Sequence, residues 1–312
     1  ETRIYNLDIV EPGTPLPTVK NYKPALGNGE EHAATFIYCD VRQPIELEKV
    51  NITPDDVIFN FAAVHRTPGH PDPAYFETNI RGAENVCAFA ERHGIRKIVF
   101  TSSIAPYGAA EELKEETTLP MPNTPYGISK LVAEKIHQTW QAGGEGRQLT
   151  IVRPGVVFGR GENGNFTRLY WGIRGHKFMY PGRKDTIKAC IYVKELVRFM
   201  LYRLEHHDSG VELYNCCYEP AYTIEHIVES MKRVTNMKVK VPFMPGWLIM
   251  TAAGIAGALG SPMGICPARV RKLQISTNIC GKKLSASGYR FHYTFEEALA
   301  DWYKDNGNLY LQ

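Results

Sequence analysis

The feature that most constrains this chain is a repeated alternation of short apolar runs with amphipathic segments through its first two hundred residues. Runs such as ATFIYCDV (34–41), VIFNFAAV (57–64) and KIVFTSS (97–103) are apolar almost throughout, which is typical of strands buried on both faces of a parallel sheet. Segments 74–94 and 125–141 carry apolar residues at helical spacing. This order predicts an α/β protein with a doubly wound parallel sheet.

The alternation continues with a predicted strand at 149–159, a helix at 191–205 and a strand at 211–217. Beyond residue 217 it loosens into short helices and a strand, ending in a helix at 295–306. The carboxyl part of the chain therefore predicts a smaller second domain.

Charge and cysteine usage exclude several classes of function. The net charge is only +3 and no block of five or more Lys or Arg residues occurs, so we predict no nucleic-acid partner. The seven cysteines are scattered, without a C-x-x-C pair, which favours reduced thiols in the cytoplasm and no metal site. The longest apolar run, 247–259, is too short to span a bilayer, and we predict no membrane partner.

Ligands of doubly wound sheets bind at the carboxyl ends of the strands. The predicted strand ends carry acids, small residues, hydroxyls and a cation, namely Asp8, Asp40, Ala62–Ala63, Ser102–Ser103 and Arg153–Pro154.

Asp8 ends the short apolar run IYNLD. In dinucleotide-binding folds an acid at the end of the second strand binds the adenosine ribose, and a glycine-rich loop lies about 20 residues earlier. We therefore expect the first strand and its glycine-rich loop to be absent from this chain. A lone G-x-G-x-x-G at Gly159, Gly161 and Gly164 comes too late in the strand order. A single match of this motif is weak, and we interpret it as a flexible loop that meets substrate.

Two Y-x-x-x-K pairs occur, Tyr126/Lys130 and Tyr180/Lys184. Pro181 follows Tyr180 directly, so the second pair is predicted to lie in a loop. Tyr126 begins a predicted helix, where positions i and i+4 share one face. A lysine ammonium there would favour the phenolate and lower the pKa of the phenol. Such a phenol can exchange a proton with an alcohol near neutral pH.

Several motifs together carry a family resemblance: TSSIAPYG (101–108), PYGISK (125–130), Asn79-x-x-Gly82 and RPGVVFG (153–159). Over nearly the whole chain, the sequence resembles the extended short-chain dehydrogenase/reductase superfamily, in particular its NAD-dependent epimerase/dehydratase branch. The resemblance implies a Rossmann-like dinucleotide-binding domain made of 1–154 and 186–217. It implies a substrate-binding domain made of 155–185 and 218–312.

The resemblance also implies the site. Its catalytic set would be Ser103, Tyr126 and Lys130. The cofactor would be NAD, since an acid at Asp8 would repel the 2′-phosphate of NADP. The implied cofactor contacts are Asp8, Asp40, Val41, Ala62, Ala63, Asn79, Tyr126 and Lys130.

Departures from the family pattern bear on the substrate. Ile104 and Ala105 stand where the 4,6-dehydratases carry an Asp-Glu pair, so dehydration is not expected. Val156 replaces an Asn common in nucleotide-sugar epimerases, although 159–175 resembles that branch. The implied substrate contacts are Asn165, Lys188, Arg269 and Arg271.

The first hypothesis is an NAD-dependent nucleotide-sugar epimerase or 4-keto reductase that works through a keto intermediate, as a cytoplasmic homodimer. A dehydrogenase of the 3β-hydroxysteroid type acting on a hydrophobic alcohol is the alternative that 247–259 and Val156 favour. A non-catalytic NAD-binding regulatory protein is a third. His65 and Arg66 could face the site or lie on a surface loop, and Asp40 could equally be a turn residue.

Overall fold

The structure is a computed structural model in which residues 3–11, 34–48, 50–65, 69–208, 210–248 and 274–312 are described. Their contacts divide the chain into two compact units. The first comprises Glu1–Gly108, Leu119–Arg153 and Phe199–Tyr214, and the second comprises Ala109–Thr118, Pro154–Arg198 and Asn215–Gln312. Residues 186–198 belong to the second unit, whereas the sequence analysis assigned them to the dinucleotide-binding domain. The functional limits of the two domains stay a prediction.

The described residues form short strands and seven helices. The strands are β1 (Tyr5–Asp8), β2 (Thr35–Tyr38), β3 (Val57–Asn60), β4 (Lys97–Thr101), β5 (Ala110–Lys114), β6 (Gln148–Pro154), β7 (Val156–Phe158), β8 (Tyr180–Pro181), β9 (Ile187–Lys188), β10 (Cys190–Tyr192), β11 (Val211–Cys216), β12 (Tyr222–Thr223), β13 (Phe243–Met244) and β14 (Thr277–Ile279). The helices are α1 (Asp72–Arg92), α2 (Pro125–Ala142), α3 (Asn165–Arg174), α4 (Val193–Glu205), α5 (Ile224–Val234), α6 (Lys282–Ala286) and α7 (Phe295–Asp305).

The first unit contains the predicted parallel sheet. Strands β3, β4, β6 and β11 form a four-stranded sheet in the order β11-β6-β4-β3, and β1 pairs in parallel with β2 in a separate two-stranded sheet. β3 and β6 both run parallel to the central β4. β4 and β6 are almost wholly buried, which explains why their sequences are apolar without alternation.

Helices α1 and α2 cover this sheet. α1 contributes Val86 and Ala90 to the core of the first unit, and α2 contributes Ala133 and Trp140. Gly82 of α1 lies so close to Val41 that an added Cβ would meet its side chain at 3.0 Å. The Asn-x-x-Gly pattern therefore has a packing role at its glycine, because a larger side chain would push α1 away from the segment after β2.

The second unit is built around aromatic side chains. Its sheet has the order β12-β9-β14-β5, with two further strand pairs, β7–β10 and β8–β13. Phe158 stacks on Phe166 with ring centroids 4.8 Å apart and meets Phe295 edge-on at 5.6 Å. Trp302 is fully buried in the same cluster. This geometry is favourable for aromatic pairs, so α3 and α7 are held against β7 by ring packing.

The predicted continuous strand 149–159 is divided at Gly155 into β6 and β7. The Gly155 N–H donates to the Cys216 carbonyl at 3.0 Å, and the Val156 N–H donates to the Ala189 carbonyl at 2.9 Å. A Cβ on Gly155 would lie 2.6 Å from the Ala189 carbonyl oxygen. The strand therefore changes its partner at the one residue that permits this close backbone approach.

Replacing Gly155 by Ala is expected to destabilise the protein by about 1–3 kcal/mol, because the new methyl group would overlap immobile backbone. The midpoint of urea denaturation, followed by tryptophan fluorescence, measures this effect. Gly143→Ala is the matched control, since its Cβ would lie 3.4 Å from the Thr139 carbonyl and the residue has a negative φ. Equal midpoints for the two variants would contradict the close approach at Gly155.

Candidate active site

The start of α2 is fixed against the turn that follows β4. Thr124 caps the helix by accepting the Gly127 N–H at 3.1 Å, and Pro125 occupies the first helical position, where proline is favourable. A Cβ on Gly127 would lie 2.7 Å from the Ala105 carbonyl oxygen. The glycine thus lets the first turn of α2 approach the backbone beside Ser103.

This approach brings Ser103 and Tyr126 together. Their side-chain hydroxyls share a hydrogen bond, and the Ser103 Oγ also accepts the Ala105 N–H at 3.1 Å. Tyr126 is half-buried, with its ring 6.3 Å from the ring of Tyr75. Lys130 follows one turn later on the same helix. The predicted helical placement of Tyr126 and Lys130 is confirmed, while their catalytic roles stay a prediction.

Lys130 is one of the most buried charged side chains in the first unit, with 2% of its surface exposed. Its Nζ lies 4.5 Å from the centroid of the Phe100 ring. Burial lowers the pKa of Lys130 to about 7, and the charge of Glu134 acts in the opposite direction. The lysine can therefore lose or gain a proton near neutral pH.

The phenol of Tyr126 behaves differently from the sequence expectation. Burial raises its pKa above the ordinary value, while the hydrogen bond with Ser103 acts to lower it. The sequence predicted that Lys130 would lower this pKa. The difference has a physical reason: the phenol is itself buried, and burial disfavours the phenolate more strongly than its surroundings favour it.

A buried polar network lies behind Lys130. The Ser102 hydroxyl donates a short hydrogen bond to Glu134 Oε1. The Arg153 guanidinium donates to both oxygens of the same carboxylate, at 2.8 Å from Nε and 2.6 Å from Nη2. Arg153 also stacks over the Tyr107 ring at 4.6 Å. The sequence placed Ser102 at a strand end but did not point to Glu134, whose only signal was its position four residues after Lys130 on α2.

The loop after β3 is held by two buried amides. Asn60 Oδ1 accepts the Ala62 N–H at 3.2 Å, and Asn60 Nδ2 lies 3.2 Å from His137 Nε2. His137 Nδ1 lies 2.8 Å from the Ala133 carbonyl, which assigns the proton to Nδ1 and leaves Nε2 as the acceptor. Burial lowers the pKa of His137 to about 4. A neutral histidine therefore fixes the orientation of Asn60, which holds the backbone of Ala62.

Asn79 is the second amide. Its Oδ1 accepts the Val64 N–H at 2.8 Å, and its Nδ2 donates to the Val64 carbonyl at 3.1 Å and to Ser129 Oγ at 2.8 Å. Ser129 in turn donates to the Tyr126 carbonyl at 2.9 Å. Asn79 therefore ties the loop after β3 to the first turn of α2. Its amide is bonded to protein groups, and the predicted cofactor contact stays a prediction.

The remaining predicted cofactor residues lie at the ends of β1, β2 and β3. Asp8 is exposed at the end of β1 and accepts the Val10 N–H at 3.1 Å. Asp40 accepts two side-chain hydrogen bonds from Arg42, at 2.9 Å from Nε and 2.6 Å from Nη2, and these bonds lower the pKa of its carboxyl. The Val41 carbonyl accepts the Asn85 amide at 2.7 Å.

These strand-end residues have the chemistry that a dinucleotide requires. An exposed carboxylate at Asp8 suits ribose hydroxyls. The small side chains of Ala62 and Ala63 follow β3 and are half-buried, so they leave room beside the loop backbone. The buried Lys130 can donate to a ribose. The described residues of the first unit therefore fit NAD.

The predicted substrate contacts belong to the second unit or lie outside the described residues. Asn165 is exposed at the start of α3, where its Oδ1 accepts Arg168 Nη2 at 3.2 Å. Lys188 of β9 donates to the Ile275 carbonyl at 2.7 Å. Residues 249–273, with Arg269, Arg271 and most of the apolar run, lie outside the described residues, as does Arg66.

The late G-x-G-x-x-G motif and the Tyr180/Lys184 pair, which the sequence analysis did not assign to the cofactor or catalytic site, have other roles. Glu162 accepts the Thr167 N–H at 2.8 Å, so a carboxylate already occupies the start of α3, where a phosphate would bind in a dinucleotide motif. Tyr180 lies in the two-residue strand β8 and not in a helix. Lys184 stacks over its ring at 5.0 Å and pairs with Glu225 at 2.9 Å. The prediction that this Tyr-Lys pair is not helical is confirmed.

The described ranges offer neither a metal centre nor a helix that could cross a membrane. They hold no group of three or more His, Cys, Asp or Glu side chains placed to bind a metal ion. None of their helices combines the length and the apolar character that crossing a bilayer requires.

The parallel sheet of the first unit has the arrangement of a Rossmann-type nucleotide-binding fold. The sequence profile described as "NAD dependent epimerase/dehydratase family" matches residues 11–217. The chain belongs to this family. It is thus an NAD-dependent enzyme of the epimerase or 4-keto reductase type, as the sequence predicted.

Individual relatives agree with this assignment. The N-acetyl-alpha-D-glucosaminyl-diphospho-ditrans,octacis-undecaprenol 4-epimerase of Escherichia coli O157:H7 is 32% identical over 83% of this chain and 80% of its own length. UDP-glucose 4-epimerase 3 of Oryza sativa subsp. japonica is 26% identical over 67% of this chain and 64% of its own length. The solved UDP-N-acetylglucosamine 4-epimerase from Methanobrevibacter ruminantium M1, in complex with UDP-N-acetylmuramic acid, has a TM-score of 0.68 at 21% identity, covering 90% of this chain and 86% of that one.

Replacing Lys130 by Met is expected to stabilise the protein on the order of a few kcal/mol at pH 6, because burial penalises the ammonium. Lys130 has a folded pKa of about 7 and an ordinary value of 10.5. Below pH 7 the penalty is complete. Between pH 7 and 10.5 the unfolded chain binds more protons, so wild-type stability rises with pH and the advantage of Lys130→Met shrinks. Urea denaturation at several pH values measures this.

Lys135→Met is the matched control, since Lys135 is exposed on the same helix. A stabilisation of the Lys130 variant that is equal at pH 6 and pH 10 would contradict a buried lysine with a lowered pKa.

Proposed function

We propose that the protein is a 4-epimerase of an N-acetylhexosamine carried on a diphosphate. The observation that carries this proposal is the hydrogen-bonded pair of Ser103 and Tyr126, one helical turn before a buried Lys130. The relative with 32% identity is named as a 4-epimerase of diphosphate-linked N-acetylglucosamine. A solved structure of similar fold is named as a UDP-N-acetylglucosamine 4-epimerase.

The proposed chemistry assigns one task to each side chain. Ser103 accepts and donates hydrogen bonds to the sugar 4-hydroxyl and orients it. Tyr126 removes the hydroxyl proton and later returns it, as a general base and acid. Bound NAD supplies a reversible hydride acceptor, which permits oxidation to a 4-keto sugar and reduction from the other face. Lys130, one helical turn along α2, would act against the burial that raises the pKa of Tyr126, because positive charge favours the phenolate.

The residues after Ser103 support epimerisation over dehydration. Ile104 and Ala105 occupy the turn after β4, and neither can donate or remove a proton through its side chain. Expelling water from the sugar requires such a group. The proposed reaction therefore stops at exchange of hydride and proton at one carbon.

The proposal also specifies the group to which the diphosphate joins the sugar, here called the carrier. We infer a polyprenyl carrier, because a relative that is 32% identical over 83% of this chain is named for one. A nucleotide carrier is the second candidate, supported by the UDP-sugar epimerases among the relatives and solved structures.

The carrier is tested by assaying the protein in parallel with N-acetylglucosamine linked to undecaprenyl diphosphate and with UDP-N-acetylglucosamine. Conversion of the UDP-sugar alone would overturn the polyprenyl assignment.

Tyr126→Phe is expected to lower turnover about 100-fold to 10,000-fold with little change in NAD affinity, because only the proton-transfer group is lost. Turnover is measured as interconversion of the two 4-epimers by chromatography, and NAD binding by calorimetry. Tyr180→Phe is the matched control, since within the described part of the chain the Tyr180 hydroxyl has no hydrogen-bond partner. Full activity of Tyr126→Phe would overturn the mechanism.

We also propose that the protein is a cytoplasmic homodimer. The six cysteines within the described ranges are free thiols, which supports a reducing compartment. Ile128 and Val132 are 39% and 36% exposed on successive turns of α2, and paired exposed apolar side chains on one helix face support association with a second copy.

Ile128→Lys is expected to convert the dimer to a monomer, because a charge would be placed in the apolar contact. Light scattering coupled to size-exclusion chromatography measures the mass of the wild-type and variant proteins. Lys135→Met, on the same helix, controls for general surface changes. A wild-type protein that elutes with the mass of one chain would contradict the dimer.

A further inference from the structure

The buried polar network of Ser102, Glu134 and Arg153 contains two charged side chains, although apolar side chains could fill the same space. Glu134 is 1% exposed and Arg153 is 3% exposed. Removing two charges from water is costly, and an apolar pair of similar size is often as stable. A second buried Arg–Glu pair occurs in the first unit between Arg203 and Glu212, but it does not include a lysine. The Glu134–Arg153 pair differs because a third charge, on Lys130, lies one helical turn away on α2.

The geometry fixes the Glu134 carboxylate firmly. It accepts three hydrogen bonds from protein side chains, one from the Ser102 hydroxyl and two from the forked Arg153 guanidinium. Burial acts to lower the pKa of Arg153, but its bonds to Glu134 outweigh burial and raise that pKa above its ordinary value. The carboxylate is thus held by a permanent cation on β6 and a hydroxyl at the end of β4.

The other groups near Lys130 do not offer a second anion. On α2 itself, the titratable neighbours are Tyr126, Glu134 and His137, and the charge of Lys130 further lowers the pKa of His137. β6 contributes Arg153, and β4 contributes the Phe100 ring. The turn after β4 contributes Tyr107, which stacks under Arg153. Among these described neighbours, Glu134 is therefore the anion that can hold positive charge on Lys130.

We propose that Glu134 is a positioning residue of the active site, whose clamped carboxylate keeps Lys130 in its charged form beside Tyr126. Arg153 and Ser102 act through it by holding the carboxylate in place. The link to Tyr126 rests on the proposed function, whereas the effect on Lys130 is a property of the free protein. The two parts can therefore fail separately.

The test follows the protonation of Lys130 directly, by carbon NMR of lysine-labelled protein without cofactor, with Lys130→Met assigning the resonance. In the wild type the Lys130 signal is expected to titrate near pH 7. In Glu134→Gln its midpoint is expected to move to lower pH by about one unit or more, because the compensating charge is lost. Glu134→Asp, which keeps the charge, is expected to restore most of the wild-type midpoint.

Two further variants keep the test decisive. Glu212→Gln breaks the buried pair with Arg203 and is expected to leave the Lys130 midpoint unchanged. Ser102→Ala keeps both charges of the Glu134–Arg153 pair and removes one hydrogen bond to the carboxylate. It serves if Glu134→Gln fails to fold, and the Lys130 midpoint is expected to move by a smaller amount. An unchanged midpoint in a folded Glu134→Gln would overturn the proposal, as would an unchanged midpoint in Ser102→Ala or equal shifts in Glu134→Asp and Glu134→Gln.

The dissociation constant of NAD and the pH dependence of turnover complete the test. Glu134→Gln is expected to weaken NAD binding about threefold or more at pH 6.5, where Lys130 would be mostly charged in the wild type and mostly neutral in the variant. Binding to the variant is expected to recover as the pH falls further. If the Lys130 midpoint moves but NAD affinity and the turnover profile do not, Glu134 sets the charge of Lys130 and the proposed role of Lys130 in the reaction is wrong.

Discussion

The close approach between the first turn of α2 and the backbone after β4 is the contact on which the active site depends. Gly127 permits it, since any larger residue would overlap the Ala105 carbonyl. Thr124 and Pro125 determine where the helix begins, and this start decides which side chains point toward β4. The pairing of Ser103 with Tyr126 then follows from the helix register and needs no further adjustment. The site is therefore specified by helix-capping and steric rules more than by attraction between its functional groups.

Burial around this contact lowers the stability of the folded protein and makes Lys130 able to exchange a proton near neutral pH. An exposed lysine would be fully charged at neutral pH and would contribute nothing unfavourable to folding. Lys130 is instead enclosed between Phe100 and the Glu134 network, which makes its protonation responsive near neutral pH at the expense of the folded state. Burial has a different consequence for His137. It keeps the imidazole neutral near pH 7, so that one ring nitrogen can accept a hydrogen bond. Two positions seven residues apart on α2 thus hold a lysine that titrates near neutral pH and a histidine that stays neutral there.

Sequence reasoning located the secondary structure well where the periodicity was strong. The helix predicted at 125–141 is observed as Pro125–Ala142, and the strand predicted at 57–64 is observed as Val57–Asn60. The break at Gly155 was missed, because a change of strand partner depends on the Ala189 backbone, which is distant in sequence. The direction of the Tyr126 pKa was also missed, since burial is a tertiary property. Spacing singled out Tyr126 and Lys130, and the family resemblance implied the full catalytic set with Ser103. Glu134 was missed, because its position four residues after Lys130 does not reveal its partners on β4 and β6.

The buried free thiols have a practical consequence. Cys87 lies in the core of the first unit, while Cys190, Cys216, Cys217 and Cys280 are buried in the second. Burial raises the pKa of Cys87 to about 12, and the Cys190 and Cys216 thiols are likewise raised, so none reacts readily while its surroundings are closed. Alkylation rates at these positions would therefore report transient opening events in each unit separately. The protein carries its own set of internal reporters for local unfolding.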